Sequence, residues 1–302
     1  MDFNLGDLPR ELSLCSNLNF KLNEPLSNHC SYGVGGIADI YIQPLSITSL
    51  INAFDIAKKH KAPIHILGNG TNVLFSDKGF RGVVISTKNL TSIEVNGNII
   101  QAECGAQIGS IINKSVERGL SGLEKLAGIP ATVGGAVTMN ASAFGTAVSD
   151  KLLSVTVFER DKITSYSHKD CDFGYRKSRF QVADAIILFV TFNLDDADES
   201  VVNKNCQQCL SLRKSIQPLG RSCGSVFRNT TKYSAGQLID MSGLKGKSIG
   251  GAFVSNKHAN FILTQDGATA YDVFRLIKLI KKEVFEKFGI ILQEEIKFIG
   301  EF

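Results

Sequence analysis

The sequence predicts an α+β protein, and three observations carry the prediction. A β-α-β unit ending on a glycine turn lies near the N-terminus, short strands with a tight hairpin follow it, and a long capped helix stands near the C-terminus. Local hairpins mixed with helices, without strict alternation, separate this pattern from a doubly wound sheet.

Residues 38–43 alternate and stop at Pro44, which reads as a strand. Thr48 is the expected cap of a helix in which Leu50, Ile51, Phe54 and Ala57 recur at helical spacing, with Pro63 as its stop. The apolar strand 64–67 runs straight into Gly68. Strands are expected at 82–86, 92–95 and 98–103, with Asn96-Gly97 as the hairpin turn. A helix over 106–118 closes at Gly119.

Residues 119–145 hold six glycines and no expected regular element, so this stretch must turn sharply or lie close against something. Strands resume at 152–159 and 185–194, and the polar segment 195–204 is the expected linker. Beyond it come a helix around 200–215, a Gly/Ser loop at 220–225 and short strands near 252–263. A helix over 269–288 opens on a Thr269/Asp272 capping box, buries Val273, Ile277, Ile280, Val284 and Phe288, and ends at Gly289. Residues 290–300 read as a final strand.

The chain has 302 residues, 43% hydrophobic and 21% charged, with only 6 Pro, which is globular composition. A net charge of +4 without a run of one sign argues against a nucleic-acid partner and suits an anionic small substrate. The 7 Cys are scattered and odd in number, which fits a reducing compartment. Charges interrupt the first residues where a signal peptide needs an apolar core, and no stretch nears the roughly 18 apolar residues of a membrane span. The expectation is a soluble cytoplasmic monomer without a membrane partner.

Gly33-Val-Gly-Gly-Ile-Ala38 matches a dinucleotide fingerprint formally but precedes a strand, and Gly68-Asn-Gly-Thr-Asn-Val73 has Val at its sixth position. Neither has the strand-turn-helix context that gives the fingerprint its meaning. Residues 68–72 read either as an anion-binding loop, offering backbone N–H groups and side-chain donors to a phosphate, or as a tight turn. Residues 128–140 (Gly-Ile-Pro-Ala-Thr-Val-Gly-Gly-Ala-Val-Thr-Met-Asn) are more specific. Gly134-Gly135 would remove the Cβ atoms that block a pyrophosphate or ring, and a structural glycine loop this long is uncommon.

Cys206 and Cys209 have the spacing of a redox or metal pair but no second pair, and read as two cysteines on one helical face. His29, His60, His65, His168 and His258 form no ligand cluster, so no metal is expected.

A family resemblance rests on an ordered set of motifs. These are Asn28-His-Cys-Ser-Tyr-Gly-Val-Gly-Gly-Ile-Ala-Asp39, Leu67-Gly-Asn-Gly-Thr-Asn-Val-Leu74, Phe80-Arg-Gly-Val-Val84 and Gly119-Leu-Ser-Gly-Leu-Glu124. Then come Ala127-Gly-Ile-Pro130, Gly134-Gly-Ala136 with Met139-Asn140, and Phe173-Gly-Tyr-Arg176 with Ser178-Arg-Phe180. Pro218-Leu-Gly-Arg-Ser-Cys-Gly-Ser-Val-Phe-Arg-Asn229, Gly236-Gln-Leu-Ile-Asp240 and Leu292-Gln-Glu-Glu-Ile-Lys-Phe-Ile-Gly300 complete it. Over residues from about 20 to 300 the chain resembles the UDP-N-acetylenolpyruvoylglucosamine reductase family.

The resemblance implies a vanillyl-alcohol-oxidase (PCMH-type) FAD-binding domain in two parts, followed by an α+β substrate-binding domain. Its expected division is 1–78, 79–196 and 197–302, with the PCMH-type region at about 31–196. It implies FAD held by Gly68, Asn69, Gly70, Thr71, Asn72, Gly128, Ile129, Pro130, Gly134, Gly135, Met139 and Asn140. NADPH would reduce the flavin, which would then reduce the enolpyruvyl group of UDP-N-acetylenolpyruvoylglucosamine for peptidoglycan precursor synthesis. Arg176, Ser225 and Glu295 carry over as catalytic, and Tyr175, Arg221, Arg228 and Asn229 as substrate-binding.

The residue types suit that chemistry. A fixed cation such as Arg176 stabilises an enolate as it develops, a protonated or hydrogen-bonded Glu295 assists, and Ser225 supplies the quenching proton. Taken singly, each reads more plainly as a surface ion pair, a turn hydroxyl or a strand charge, and only the ordered set reverses that. Arg228 replaces the usual Lys, while Thr230 and Glu294 replace usual prolines, which puts local backbone geometry in question. Cys223 reads as an accessible loop residue and not a nucleophile. The short connection from Arg176 to Ser225 resembles the family form without an inserted capping loop. The rivals are another flavin oxidoreductase of this fold and a nucleotide-sugar-binding protein that has lost catalysis.

Overall fold

The computed structural model describes residues 5–182 and 184–302. Its first sheet runs in the order Leu18–Pro25, Ile37–Pro44, Phe80–Ser86, Ile64–Leu67, the first pair antiparallel and the other two parallel. Helix Ile47–Lys59 makes the crossover of the expected β-α-β unit. Ser46 caps it, not Thr48: Ser46 Oγ accepts from the Ser49 N–H at 3.1 Å, and Ser49 Oγ accepts from the Ser46 N–H at 3.1 Å. The cap must keep extended backbone, which Ser46 has, while Thr48 already lies inside the first turn.

Helix Leu8–Ser13 and strand Leu18–Pro25 were not expected, although Leu18, Phe20 and Leu22 alternate with polar residues along that edge strand. A register shift between Ala38 and Ile40 reverses the side-chain parity of the second strand. Ile40 and Ile42 therefore join Val83 and Ile85 in one core, while Ala38 and Tyr41 join Val84 in another. The sheet is thus buried on both faces.

The second sheet is antiparallel, in the order Lys162–Ser167, Leu152–Glu159, Ala185–Asn193, Ile99–Glu103, Ile93–Asn96. Its hairpin loop is Gly97-Asn98, one residue later than expected, since Asn96 pairs with Ile99. Gly97 supplies the positive φ (+56°) at the first loop position.

The glycine-rich stretch is more regular than expected. It contains helix Val133–Met139, capped by Thr132 Oγ1, which accepts from the Gly135 N–H at 3.3 Å. The glycines hid this helix because their propensity is poor, and tertiary packing overrides it.

The expected linker is likewise structured. Asp195–Asp196 pairs with Leu120–Ser121, and Asp198 caps helix Glu199–Ile216. That helix lies against helix Ile108–Glu117 and the turn Glu124–Leu126, burying Val202 and Cys206.

The C-terminal part places helix Ala270–Phe288 on the antiparallel sheet Ser248–Ile249, Ala252–Val254, Ile262–Thr264, with helix Ala235–Met241 packed against that helix. The long helix has the expected Thr269/Asp272 box and ends at Gly289 with φ +67°. Its Val273, Ile277, Ile280 and Val284 are fully buried, each stabilising by roughly 1.5–3 kcal/mol. Of residues 290–300 only Lys297–Ile299 is strand, and it pairs in parallel with Val73–Phe75 of the N-terminal part. The segment before it makes only an isolated antiparallel bridge, Glu294 with Phe227, which sets Glu295 at the edge of a cleft.

Candidate active site

A cleft of about 790 Å³ opens where the three parts meet, within the size range of small-molecule sites. Its walls come from segments 64–73, 128–142, 176–187, 213–225 and 295–299. Three cations line it: Arg176, Arg213 and Lys297.

The loop after strand Ile64–Leu67 is held from outside and open within. Gly70 has φ +68°, and a Cβ there would lie 2.0 Å from the His29 carbonyl oxygen. Asn69 Nδ2 donates to Gln107 Oε1 at 2.6 Å and to Pro130 O at 3.0 Å, while Gln107 Nε2 donates back to Asn69 Oδ1 at 3.0 Å. Asn72 Nδ2 donates to Glu295 O at 3.3 Å. These two side chains tie the loop to its neighbours.

The backbone offers donors of its own. Among the described residues, no chain acceptor receives the N–H groups of Asn69, Gly70, Thr71 or Asn72. A run of unclaimed N–H groups beside a cleft is the kind of donor set that a diphosphate requires.

The facing wall corrects the role expected of the glycines. A Cβ on Gly134 would stand 3.0 Å from the Cys104 carbonyl oxygen, and one on Gly68 only 2.3 Å from Thr132 Oγ1. Both are glycine so that protein can pack against protein. Gly135 is exposed on the same helix, and a Cβ there would meet only Thr132 Oγ1, at 3.3 Å.

Gly128, Ile129, Pro130 and Met139 line the cleft, but Asn140 does not. Asn140 is buried at φ +43°; its Nδ2 donates to Gly174 O at 3.0 Å and its Oδ1 accepts from the Ser149 N–H at 3.3 Å. Its polar atoms are used in holding the 174–177 turn.

Arg176 sits at the tip of that turn, also at positive φ (+54°). Its Nη1 donates to Ser142 Oγ at 2.7 Å, and its Nε stands 2.5 Å from Glu295 Oε1. The contact is a close ion pair between the two side chains. Both side chains are largely buried, at 15% and 13% exposure. Burial raises the Glu295 pKa above its ordinary value, and the opposing pull of Arg176 and Arg228 does not cancel it. Ser225 borders the same cleft, and the next residue's carbonyl, Val226 O, accepts from the Glu295 N–H at 2.7 Å.

The residues expected to bind substrate divide. The Asn229 N–H donates to Tyr175 Oη at 3.2 Å, so these two meet beside the Arg176 turn. Arg228 acts electrostatically on Glu295. Arg221 stands apart: it pairs with Asp266 at 2.9 Å and packs against Gly33. None of the four lines the cleft.

Cys223 is buried at 3% exposure, contrary to expectation, because its thiol donates to Val73 O at 3.2 Å inside the packed interior. Cys206 is buried in its helix with its thiol pushed up to about 11, which suits packing and not redox work. Sequence reasoning missed Gln107, Thr132, Ser142, Gln181 and Arg213. Only Thr132 had a local signal, as a cap residue ahead of a helix.

Two family models match the chain. One is described as an FAD binding domain, over residues 38–161, and the other as the C-terminal domain of UDP-N-acetylenolpyruvoylglucosamine reductase, over residues 215–299. The UDP-N-acetylenolpyruvoylglucosamine reductase of Caldanaerobacter subterraneus subsp. tengcongensis is 43% identical over 282 residues, covering 93% of each chain. That of Clostridium botulinum strain Hall is 38% identical over 290 residues, covering 95% of each. The crystal structure of UDP-N-acetylenolpyruvylglucosamine reductase from Thermus caldophilus superposes with a TM-score of 0.80 at 32% identity, covering 94% of this chain and 99% of that one.

Proposed function

The chain belongs to the UDP-N-acetylenolpyruvoylglucosamine reductase family, and from that premise we propose that Arg176, Glu295 and Ser225 carry its reaction. It is an FAD-dependent oxidoreductase that uses NADPH to reduce the enolpyruvyl group of UDP-N-acetylenolpyruvoylglucosamine, yielding UDP-N-acetylmuramate for peptidoglycan. The FAD-binding two-part domain precedes the substrate-binding domain in the α+β chain. In this reading the boundary between them follows helix Glu199–Ile216, which packs with the FAD-binding part. Among the described residues no helix is long and apolar enough to cross a membrane.

The unclaimed N–H groups of residues 69–72 would hold the FAD diphosphate, and the 128–135 wall would lie along the rest of the cofactor. The chemistry that FAD supplies when bound is storage of two electrons between NADPH and the enolpyruvyl double bond.

The residues of the chain do the rest. The Arg176 guanidinium, fixed beside Glu295 at the cleft, can meet the substrate carboxylate and stabilise the enolate as charge accumulates there. Glu295, biased toward its protonated form by burial, avoids repelling that carboxylate and can donate a hydrogen bond to it. Ser225 Oγ–H gives its proton to the carbon adjacent to the carboxylate.

The observation that carries this reading is the buried Arg176–Glu295 pair in the wall that Ser225 shares. The test is an anaerobic absorption spectrum. Flavin bands should bleach with NADPH and return when UDP-N-acetylenolpyruvoylglucosamine is added. Bleaching without return would place the substrate elsewhere.

A further inference from the structure

The backbone of Arg176 is held by a hydrogen-bonded clamp. Gly174 and Lys177 exchange backbone N–H···O bonds, both 3.1 Å, leaving Tyr175 and Arg176 as a two-residue tip. Arg176 occupies left-handed backbone there, which costs a non-glycine residue about 1–2 kcal/mol and persists only when its surroundings impose it. The Arg176 carbonyl points out of the turn and cannot join its ladder. It accepts instead from Gln181 Nε2 at 2.9 Å.

The same amide donates to Thr138 O at 3.1 Å, an end carbonyl of helix Val133–Met139 that lacks a helical partner. Ser178 Oγ donates to Thr138 O as well, at 2.7 Å, and Asn140, which caps that helix, donates to Gly174 O. One seven-residue helix therefore carries Gly135 of the cofactor wall near one end and fixes the Arg176 turn at the other.

We propose that Gln181 is a positioning residue for Arg176: its carboxamide bolts the strained turn to helix Val133–Met139, setting the guanidinium against Glu295 and the substrate carboxylate. The requirement is for two hydrogens donated at one point, one to Arg176 O and one to Thr138 O. A side chain of similar reach that donates both should serve, and one that donates none should not. The inference rests on the reading of Arg176 as the enolate-stabilising cation.

The experiment compares Gln181→Met, which keeps length and loses both donors, with Gln181→Lys, which is one atom longer, flexible, and keeps the donors. Flavin content, the NADPH half-reaction and reoxidation by substrate are measured separately. Gln181→Met should slow reoxidation at saturating substrate roughly tenfold or more, since misplacement by an ångström can cost about a hundredfold. Flavin content and reduction by NADPH should stay within about twofold of wild type, and Gln181→Lys should recover most of the lost rate. Reoxidation by Gln181→Met at the wild-type rate would overturn the proposal. So would loss of flavin, parallel slowing of both half-reactions, or failure of Gln181→Lys to recover. A wild-type protein that NADPH reduces but substrate does not reoxidise would instead sink the underlying reading of the site.

Discussion

Ser225 and Glu295 make separable contributions at the scale of single residues. Ser225→Ala removes a proton donor without creating a cavity that matters to packing, so flavin reduction by NADPH should be preserved. Reoxidation by substrate should fall by about a hundredfold or more, the range for loss of a positioned general acid. Stopped-flow absorbance separates the two steps, and fast reoxidation would refute the serine's role.

Glu295 adds a pH dependence whose sign follows from its environment. Its folded pKa is raised by burial, so the protonated fraction is complete below the ordinary carboxylate range and declines as pH rises through the raised value. If the protonated acid is the working form, reoxidation slows over that same rise. Glu295→Gln, permanently neutral, should lose the dependence, and a pH–rate profile of the substrate step decides it. A Glu295→Gln variant that kept the wild-type slope would assign the titration to another group.

At the scale of elements, the loop 68–72 and helix Val133–Met139 are made for each other. Gly68→Ala drives a methyl into Thr132 Oγ1, the atom that caps the helix. Overpacking of this kind costs about 1–3 kcal/mol, enough to shift the loop and weaken flavin binding by roughly tenfold. Adding Thr132→Ala removes the colliding oxygen and should restore part of that affinity, although the cap is lost at about 1 kcal/mol. Flavin titration of the stripped full-length proteins, with melting temperatures alongside, reads both effects. Equal flavin affinity in Gly68→Ala and wild type would mean the loop tolerates the displacement.

At the scale of the molecule, the parts are interlocked. The first sheet is buried on both faces, by one core that includes the second sheet and by another that includes the C-terminal helix Ala270–Phe288. Strand Lys297–Ile299 then returns to pair with Val73–Phe75. Neither part can unfold without exposing the shared sheet, so calorimetry of the full-length protein should show a single cooperative transition. Two resolved transitions would show that the parts unfold separately.

Much of this was legible in the sequence, for reasons of range. The β-α-β unit, the Gly97 hairpin and the Thr269/Asp272-capped helix rest on contacts among near neighbours, which periodicity, turn residues and caps report directly. The ordered motifs were enough to imply the family and to nominate Arg176, Ser225 and Glu295. What escaped depended on distant partners. Helix Val133–Met139 forms despite its glycines because Cys104 and Gly68 pack against it and its cap, and residues 195–196 pair with a strand far earlier in the chain. Asn69, Asn72 and Asn140 look in sequence like ligand donors; only tertiary structure showed the bonds their amides make to protein and the backbone N–H groups of 69–72 without a chain acceptor among the described residues. By itself the sequence determined which elements form and which chemistry is present, because those are local properties. Tertiary structure alone decided what each polar group bonds to, because a hydrogen bond goes to whichever partner the fold brings within about 3 Å.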